Sequence, residues 1–364
     1  MELGMLLIRI RRYKMVTKKS KENKINPLLE VRDLQTYFYT ADGIVRAVDS
    51  VDLNVYPKKT LGIVGESGCG KSITTKSILR LIDNPGKIIN GTMNLYDQNY
   101  SNPQDIASLN TQELKKVRGG RISMIFQEPM TSFSPIHTIG NQITEAITLH
   151  LDHTKEEAME LAEDWLIRVG MNNPKQRLKQ YAFELSGGQR QRAMIAMALC
   201  TNPDILIADE PTTALDVTTQ AQTLDLLNEL QEKNGMSIIM ITHDLGVIAE
   251  LADDVNVMYL GKVVESGTLE QVYKDPIHPY TKSLLSSIPS LATKHRERLP
   301  ILQGTIPHPV ARPSGCNFQP NCSGETQACY EGDPVTIEES PGHFALYCGP
   351  CYDDHKCAWY PRGI

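Results

Sequence analysis

The stretch Leu61 to Ser72, LGIVGESGCGKS, constrains the chain more than any other. Leu61, Ile63 and Val64 read as the end of a buried strand, and they run straight into the spaced glycines Gly65, Gly68 and Gly70, then Lys71 and Ser72. Behind them KSITTKSILRLI places Ile73, Ile78, Leu81 and Ile82 at helical spacing, so a glycine-rich loop joins a strand to a helix. Glycines let consecutive N–H groups curl around an anion, and the helix N-terminus adds the positive end of a dipole. Lys71 supplies a full charge and the Ser72 hydroxyl a magnesium ligand, so the loop, Gly65, Glu66, Ser67, Gly68, Cys69, Gly70, Lys71 and Ser72, is expected to cradle the phosphates of a nucleoside triphosphate. Cys69 is taken as a small loop residue, not as a nucleophile.

Upstream, LLEVRDLQTYFYT and IVRAVDSVDLNV alternate apolar and polar residues around a turn at Ala41-Asp42-Gly43, which predicts antiparallel strands leading into the loop. Among Tyr37, Phe38 and Tyr39, one ring is free to stack on a nucleobase, with Phe38 the chosen candidate; ordinary strand packing is the alternative. Downstream, RISMIFQEP predicts a strand ending in Phe126, Gln127 and Glu128, where the Gln127 amide is able to reach a metal-bound water. Thr154 and Glu157 form a capping box before a helix that should stop at Gly170. In YAFELSGGQRQRAMIAMALC, Ser186, Gly187 and Gly188 precede a helix, so a serine hydroxyl and bare N–H groups stand at its N-terminus and, with Gln189, make a second anion site. DILIADEP reads as a buried strand ending in two carboxylates, Asp209 for magnesium and Glu210 for polarising water. Asp216 lies in a loop before a helix, and SIIMITHD delivers His243 at a strand end, where it can donate to a γ-phosphate oxygen.

The whole chain narrows the setting. It has 37 basic and 43 acidic side chains, a net charge of −6, so no global cationic field points to nucleic acid. No run of eighteen apolar residues occurs, so any membrane role is expected through partners. Residues 1–27 form a basic extension, read either as a disordered tail or as a segment touching anionic lipid. Only Cys69 and Cys200 precede residue 300; Cys316, Cys322, Cys329, Cys348, Cys351 and Cys357 crowd the tail and argue for metal or cluster chemistry there. The first four are separated by five, six and eighteen residues, which leaves iron–sulfur, zinc and unligated thiols all open.

With these residues in place, the chain resembles the nucleotide-binding subunits of ATP-binding cassette (ABC) transporters over roughly 28–267. GESGCGKS, the glutamine after MIF, LSGGQ, ILIADEP, ALD and ITHD occur in that family's order. The tail motif KDPIHPYTKSLLSSIP and the cysteines after it resemble the peptide and nickel importers of bacteria, the dipeptide and oligopeptide permease group. The resemblance implies an α/β phosphate-loop fold with a RecA-like core, an antiparallel β subdomain and a helical subdomain at about 128–190. A small Cys-rich C-terminal domain would follow at 268–364. It implies ATP hydrolysis with magnesium held by Ser72, Gln127 and Asp209, and catalysis by Lys71, Gln127, Glu210 and His243. Asp216 and Ser186 to Gln189 would complete a site shared head to tail with a second cassette, identical or paralogous. It further implies a 4Fe-4S cluster on Cys316, Cys322, Cys329 and Cys348; Cys351 and Cys357 leave the fourth ligand open. The implied partners are two membrane-spanning permease subunits, met around Gln127 and 131–140, and an extracellular peptide-binding protein, with the chain at the cytoplasmic face of the plasma membrane. Nickel import is the alternative within the family. Soluble cassettes acting on DNA or ribosomes differ by a long coiled coil or a doubled motif set, and sugar importers by a longer, strand-rich tail.

Overall fold

The computed structural model describes residues 26–97, 102–213, 215–288, 306–322, 328–331 and 334–348. The N-terminal extension therefore falls, up to residue 25, outside the described residues, as do Cys351 and Cys357.

Two sheets organise the chain. The first is antiparallel, in the order β2-β1-β4-β5, built from β1 (Leu29–Thr40), β2 (Gly43–Val55), β4 (Gly86–Leu95) and β5 (Gln104–Asp105). Thr40 pairs with Gly43 across the expected turn; alternation buries Leu29 and Val31 on one face, and an irregularity between Val31 and Leu34 shifts the buried positions to Leu34 and Thr36. The second sheet has eight strands in the order β11-β12-β10-β9-β3-β8-β7-β6. Its parallel part comprises β3 (Thr60–Val64), β6 (Ile122–Ile125), β7 (Ile205–Asp209), β8 (Ser237–Thr242) and β9 (Asp254–Tyr259). Strands β3, β7 and β8 are buried throughout, as a parallel sheet covered on both faces requires.

Because side chains alternate along a strand, the parallel sheet divides two apolar cores. Ile205, Ile207, Ile239 and Ile241 face the first, shared with β1, β2, β4 and helix α1 (Lys71–Ile78). Leu206, Ala208, Ile238 and Met240 face the second. That second core takes in α2 (Ile139–His150), α3 (Lys155–Arg168) and α4 (Gly187–Leu199) through Ile143, Trp165, Leu166 and Ile195. It also takes in α5 (Val217–Asn234) and α6 (Leu245–Leu251), through Leu227 and Ile248. The Thr154–Glu157 capping box forms at the start of α3, and Gly170, two residues beyond its last residue, adopts φ +72°.

The tail does not fold apart from the cassette. Strand β10 (Lys262–Thr268) pairs antiparallel with β9 and with β12 (His343–Cys348), which in turn pairs with β11 (Pro334–Ser340). Between them lie α7 (Leu269–Lys274) and α8 (Pro279–Ser286). The expected small Cys-rich C-terminal domain is not shown: the described residues of the tail lengthen the edge of the main sheet, and Cys316, Phe318 and Cys329 enter its core.

One side chain fastens residues 306–322 to the front of the cassette. Arg312 donates through Nη1 to Asp49 Oδ2 at 2.7 Å and through Nη2 to the Leu260 carbonyl at 2.6 Å and the Arg46 carbonyl. Both partners of the ion pair are nearly buried, with 12% and 11% of their side-chain surface exposed. Replacing Arg312 by Met leaves the Asp49 charge with weaker partners, so stability should fall by about 3 kcal/mol. Denaturant unfolding checks this; an unchanged midpoint would show that the tail is not fastened here.

Candidate active site

The strands β3, β8, β7 and β6 run parallel and end on the same edge of the sheet, where an open α/β sheet takes its ligand. Gly65 follows β3, His243 follows β8 at Thr242, Asp209 closes β7 with Glu210 next, and Gln127 follows β6. The sheet register therefore brings together residues from four distant stretches of sequence.

The phosphate loop is closed in by main chain. A β-carbon on Gly65 would lie 2.2 Å from the Met258 carbonyl oxygen, and one on Gly70 would lie 2.2 Å from the Ala47 carbonyl oxygen. Gly70 also takes φ +106°, a conformation that side chains oppose. Lys71 is buried and donates to the carbonyls of Gly65 at 2.7 Å and Glu66 at 2.9 Å, crossing the loop from behind. Ser67 and Gly68 are exposed at the tip, and Cys69 is buried, its thiol pKa raised by desolvation. That thiol is a packing group.

The two carboxylates sit in different surroundings. Asp209 is buried and accepts from Ser72 Oγ at 2.8 Å; burial raises its pKa against that hydrogen bond. Ser72 and Asp209 thus stand side by side, a hydroxyl and a carboxylate that fit the oxygen-ligand chemistry of magnesium. Glu210 takes φ +46°, unusual for a residue with a side chain and a mark of strain at functional positions. Its N–H donates to the Ile241 carbonyl at 2.9 Å, which fixes the turn. Burial pushes the Glu210 pKa up, but hydrogen bonds from His243 and Thr213 outweigh it, leaving the group below its ordinary value. Gln127 Nε2 donates to Glu210 Oε2 at 3.1 Å, Thr213 Oγ1 to the same oxygen at 2.9 Å, and His243 Nδ1 lies 3.2 Å from Oε1. Glu210 is the hub: Gln127 and His243, expected to address metal-bound water and phosphate, both lie on its carboxylate.

The remaining expected residues lie elsewhere. Ser186 is the N-cap of α4 and forms a capping box with Gln189, so Gly187 and Gly188 belong to the first turn rather than preceding the helix. Ser186 and Gly187 are exposed, and among the described residues no hydrogen bond joins them to the phosphate loop. A β-carbon on Gly188 would lie 3.1 Å from Thr219 Cγ2, which places the starts of α4 and α5 together. Asp216 caps α5, accepting from the Thr219 N–H at 3.0 Å and Oγ1 at 2.7 Å. Phe38 pairs with Gly86 across the sheet, where a β-carbon would come within 2.6 Å of its ring. The ring rests on Gly86 and stays half-exposed.

The cluster expectation is not supported. Among the described residues no group of three or more His, Cys, Asp and Glu is placed to hold a metal, so Cys316, Cys322 and Cys329 do not form one. Cys316 and Cys329 are buried in the second core, joined by a bond from the Cys316 N–H to the Cys329 carbonyl at 3.0 Å. The side chain of Cys348 lies outside the described residues.

Sequence reasoning missed Tyr280, whose hydroxyl accepts from the Glu66 N–H of the phosphate loop at 2.9 Å. Its Pro279 announces a helix start, but nothing local announces a partner 214 positions away.

Fold and site define the ATP-binding cassette class of phosphate-loop proteins, and comparison with known proteins agrees. Residues 48–213 match the ABC transporter family, and residues 264–329 the oligopeptide/dipeptide transporter C-terminal region. The oligopeptide transport ATP-binding protein AppD of Bacillus subtilis is 46% identical over 87% of this chain and 95% of its own. A probable peptide ABC transporter ATP-binding protein, y4tR, of Sinorhizobium fredii is 45% identical over 88% and 95%. Among solved structures, the dimeric post-hydrolysis state of the cassette MJ0796 bound to ADP and Pi superposes with TM-score 0.58 at 28% identity, covering 66% of this chain and 98% of that one. The chain belongs to the peptide transporter branch of the ABC ATP-binding proteins, and like them it carries the ATPase machinery.

Gly70→Ala tests the loop. The added methyl meets the Ala47 carbonyl in a backbone conformation that costs about 1–3 kcal/mol, so nucleotide affinity should fall at least about tenfold. Titration with a fluorescent ATP analogue reads this; unchanged affinity would mean the loop is not held as described.

Proposed function

We propose that the chain is the ATPase of a bacterial peptide importer, driving dipeptide or oligopeptide uptake through two separate membrane-spanning subunits at the cytoplasmic face of the plasma membrane. The observation that carries the reading is the convergence of Lys71, Ser72, Asp209, Glu210, Gln127 and His243 on one sheet edge, in a chain whose tail matches the oligopeptide/dipeptide transporter region. Among the described residues no helix is long and apolar enough to cross a membrane, consistent with work through membrane partners.

Phosphoryl transfer to water needs positioning and charge neutralisation more than covalent help from the protein. The loop amides and Lys71 hold the β- and γ-phosphates, and Ser72 and Asp209 would hold magnesium, which neutralises phosphate charge when bound. Glu210, kept ionised by its hydrogen bonds, orients the attacking water as its general base. Gln127 and His243 aim that carboxylate through their hydrogen bonds to it, and in this reading they also address the attacking water and the γ-phosphate.

The exposed Ser186 segment has no such work in its own chain. It serves a second cassette, identical or paralogous, as the dimeric state of MJ0796 suggests by analogy. The membrane subunits dock near Gln127 and 131–140, where Met130 and Ile136 present apolar surface, Ile136 with 76% of its area exposed. A peptide-binding protein outside the cell meets the assembled complex. An iron–sulfur cluster carries no step here.

Glu210→Gln in the assembled transporter separates this reading from its rivals. The variant should still copurify with two membrane proteins while peptide uptake falls at least about 100-fold. Uptake of nickel in place of peptides would move the chain to the nickel branch, and retention on DNA or ribosomes in place of membrane proteins would refute transport.

A further inference from the structure

The segment that follows the cassette reaches back to touch the phosphate loop, and it does so from a rigid support. Glu265, on β10 and 1% exposed, accepts from the N–H groups of Ile277 at 2.9 Å and His278 at 2.8 Å, and its Oε1 lies 2.9 Å from His343 Nε2 on β12. The turn into α8 is thereby tied to the sheet. Buried His278 then caps α8, its Nδ1 accepting from the Tyr280 N–H at 3.1 Å, which puts the ring proton on Nε2.

Tyr280 itself is fully buried and its ring is boxed in by Tyr259 at 4.7 Å and Phe318 at 5.7 Å between centroids. Tyr259 is held in turn, donating through its hydroxyl to Asn321 Oδ1 at 2.9 Å. With side chain and helix start both fixed, the Tyr280 hydroxyl has one place to be. There it accepts from the Glu66 N–H, while the Glu66 carbonyl accepts from the Cys69 N–H at 3.3 Å and from Lys71. The second residue of the loop is therefore held on both its donor and its acceptor.

We infer that Tyr280 is a positioning residue of the nucleotide site: a strut from the oligopeptide-type tail that sets the phosphate loop through the Glu66 amide before ATP arrives. Loops that must present several N–H groups to one anion lose affinity when any part of the turn is free to relax. The tail thus acts on ATP binding without touching ATP.

Tyr280→Phe removes only the hydroxyl. A hydrogen bond to a buried amide corresponds to about a tenfold effect, so the Kd for an ATP analogue and the KM of the assembled transporter should rise about tenfold. kcat should fall by less than KM rises, because the groups around Glu210 are untouched. Tyr273→Phe removes a hydroxyl of the same tail that donates to the Leu245 carbonyl and packs neither on Tyr280 nor on the loop, and it should leave nucleotide affinity within twofold. Equal loss in both variants, or no loss in Tyr280→Phe, overturns the strut. Should Tyr280→Phe fail to fold, hydrogen exchange on the unaltered protein without nucleotide decides: the Glu66 amide should be protected and the exposed Gly68 amide not. Fast exchange at Glu66 overturns the inference as well. The inference rests on the ATPase reading; failure of the unaltered protein to bind ATP would refute that reading, whereas a selective loss in one tyrosine variant concerns the strut alone.

Discussion

Main-chain carbonyls press on the phosphate loop from two sides, and most of the molecule can be understood as what is needed to bring them there. The carbonyl of Ala47 comes from the antiparallel sheet and that of Met258 from the parallel one; Gly70 and Gly65 are the residues that let them approach. The Gly261 N–H adds a bond to the Cys69 carbonyl at 2.8 Å, and its neighbour Leu260 shares Arg312 with β2. The loop is thus the joint between two sheets, and its shape follows from their packing. This explains why the expected strand, loop and helix are not sufficient by themselves: they supply the hinge, and distant strands close it.

At the other side of the site, adjacency in sequence does not mean equivalence. Asp209 ends a buried strand and faces Ser72, and desolvation raises its pKa; Glu210 turns out of the strand and gathers three hydrogen-bond partners, of which His243 and Thr213 lower its own. One residue of chain separates a position suited to a cation from one suited to a base. The left-handed turn at Glu210 makes that separation, which is a physical reason for tolerating its strain.

The legible parts of the chain were those encoded by local spacing. Alternation in 29–55, the buried runs of β3, β7 and β8, the Thr154–Glu157 capping box and the strand–loop–helix around Lys71 all appear where the residues place them. The site residues on the sheet edge were legible too, since each follows its own apolar strand. What the sequence did not disclose depends on contacts between remote segments. Crowding in the tail marked the cysteines as ligands, whereas among the described residues no group is placed to hold a metal, and Cys316 and Cys329 lie in an apolar core. Asp216 was legible as a loop residue but not as a helix cap. Tyr280 and Arg312 carry no signal near themselves, because the Glu66 amide and the Asp49 carboxylate that they meet lie more than two hundred residues away.

In the proposed reading, one chain holds the phosphates, the water-orienting carboxylate and the Ser186 helix start, yet the last of these is exposed and, among the described residues, makes no hydrogen bond to its own loop. Two chains arranged head to tail would cover each nucleotide from both sides, and closing them is the differential contact that can do work on membrane partners. Light scattering of the Glu210→Gln protein, with its partner cassette where one is required, measures this directly. Addition of ATP and magnesium should convert it from monomer to dimer, and Ser186→Arg should prevent the conversion. A particle that stays monomeric with bound ATP would contradict the shared site.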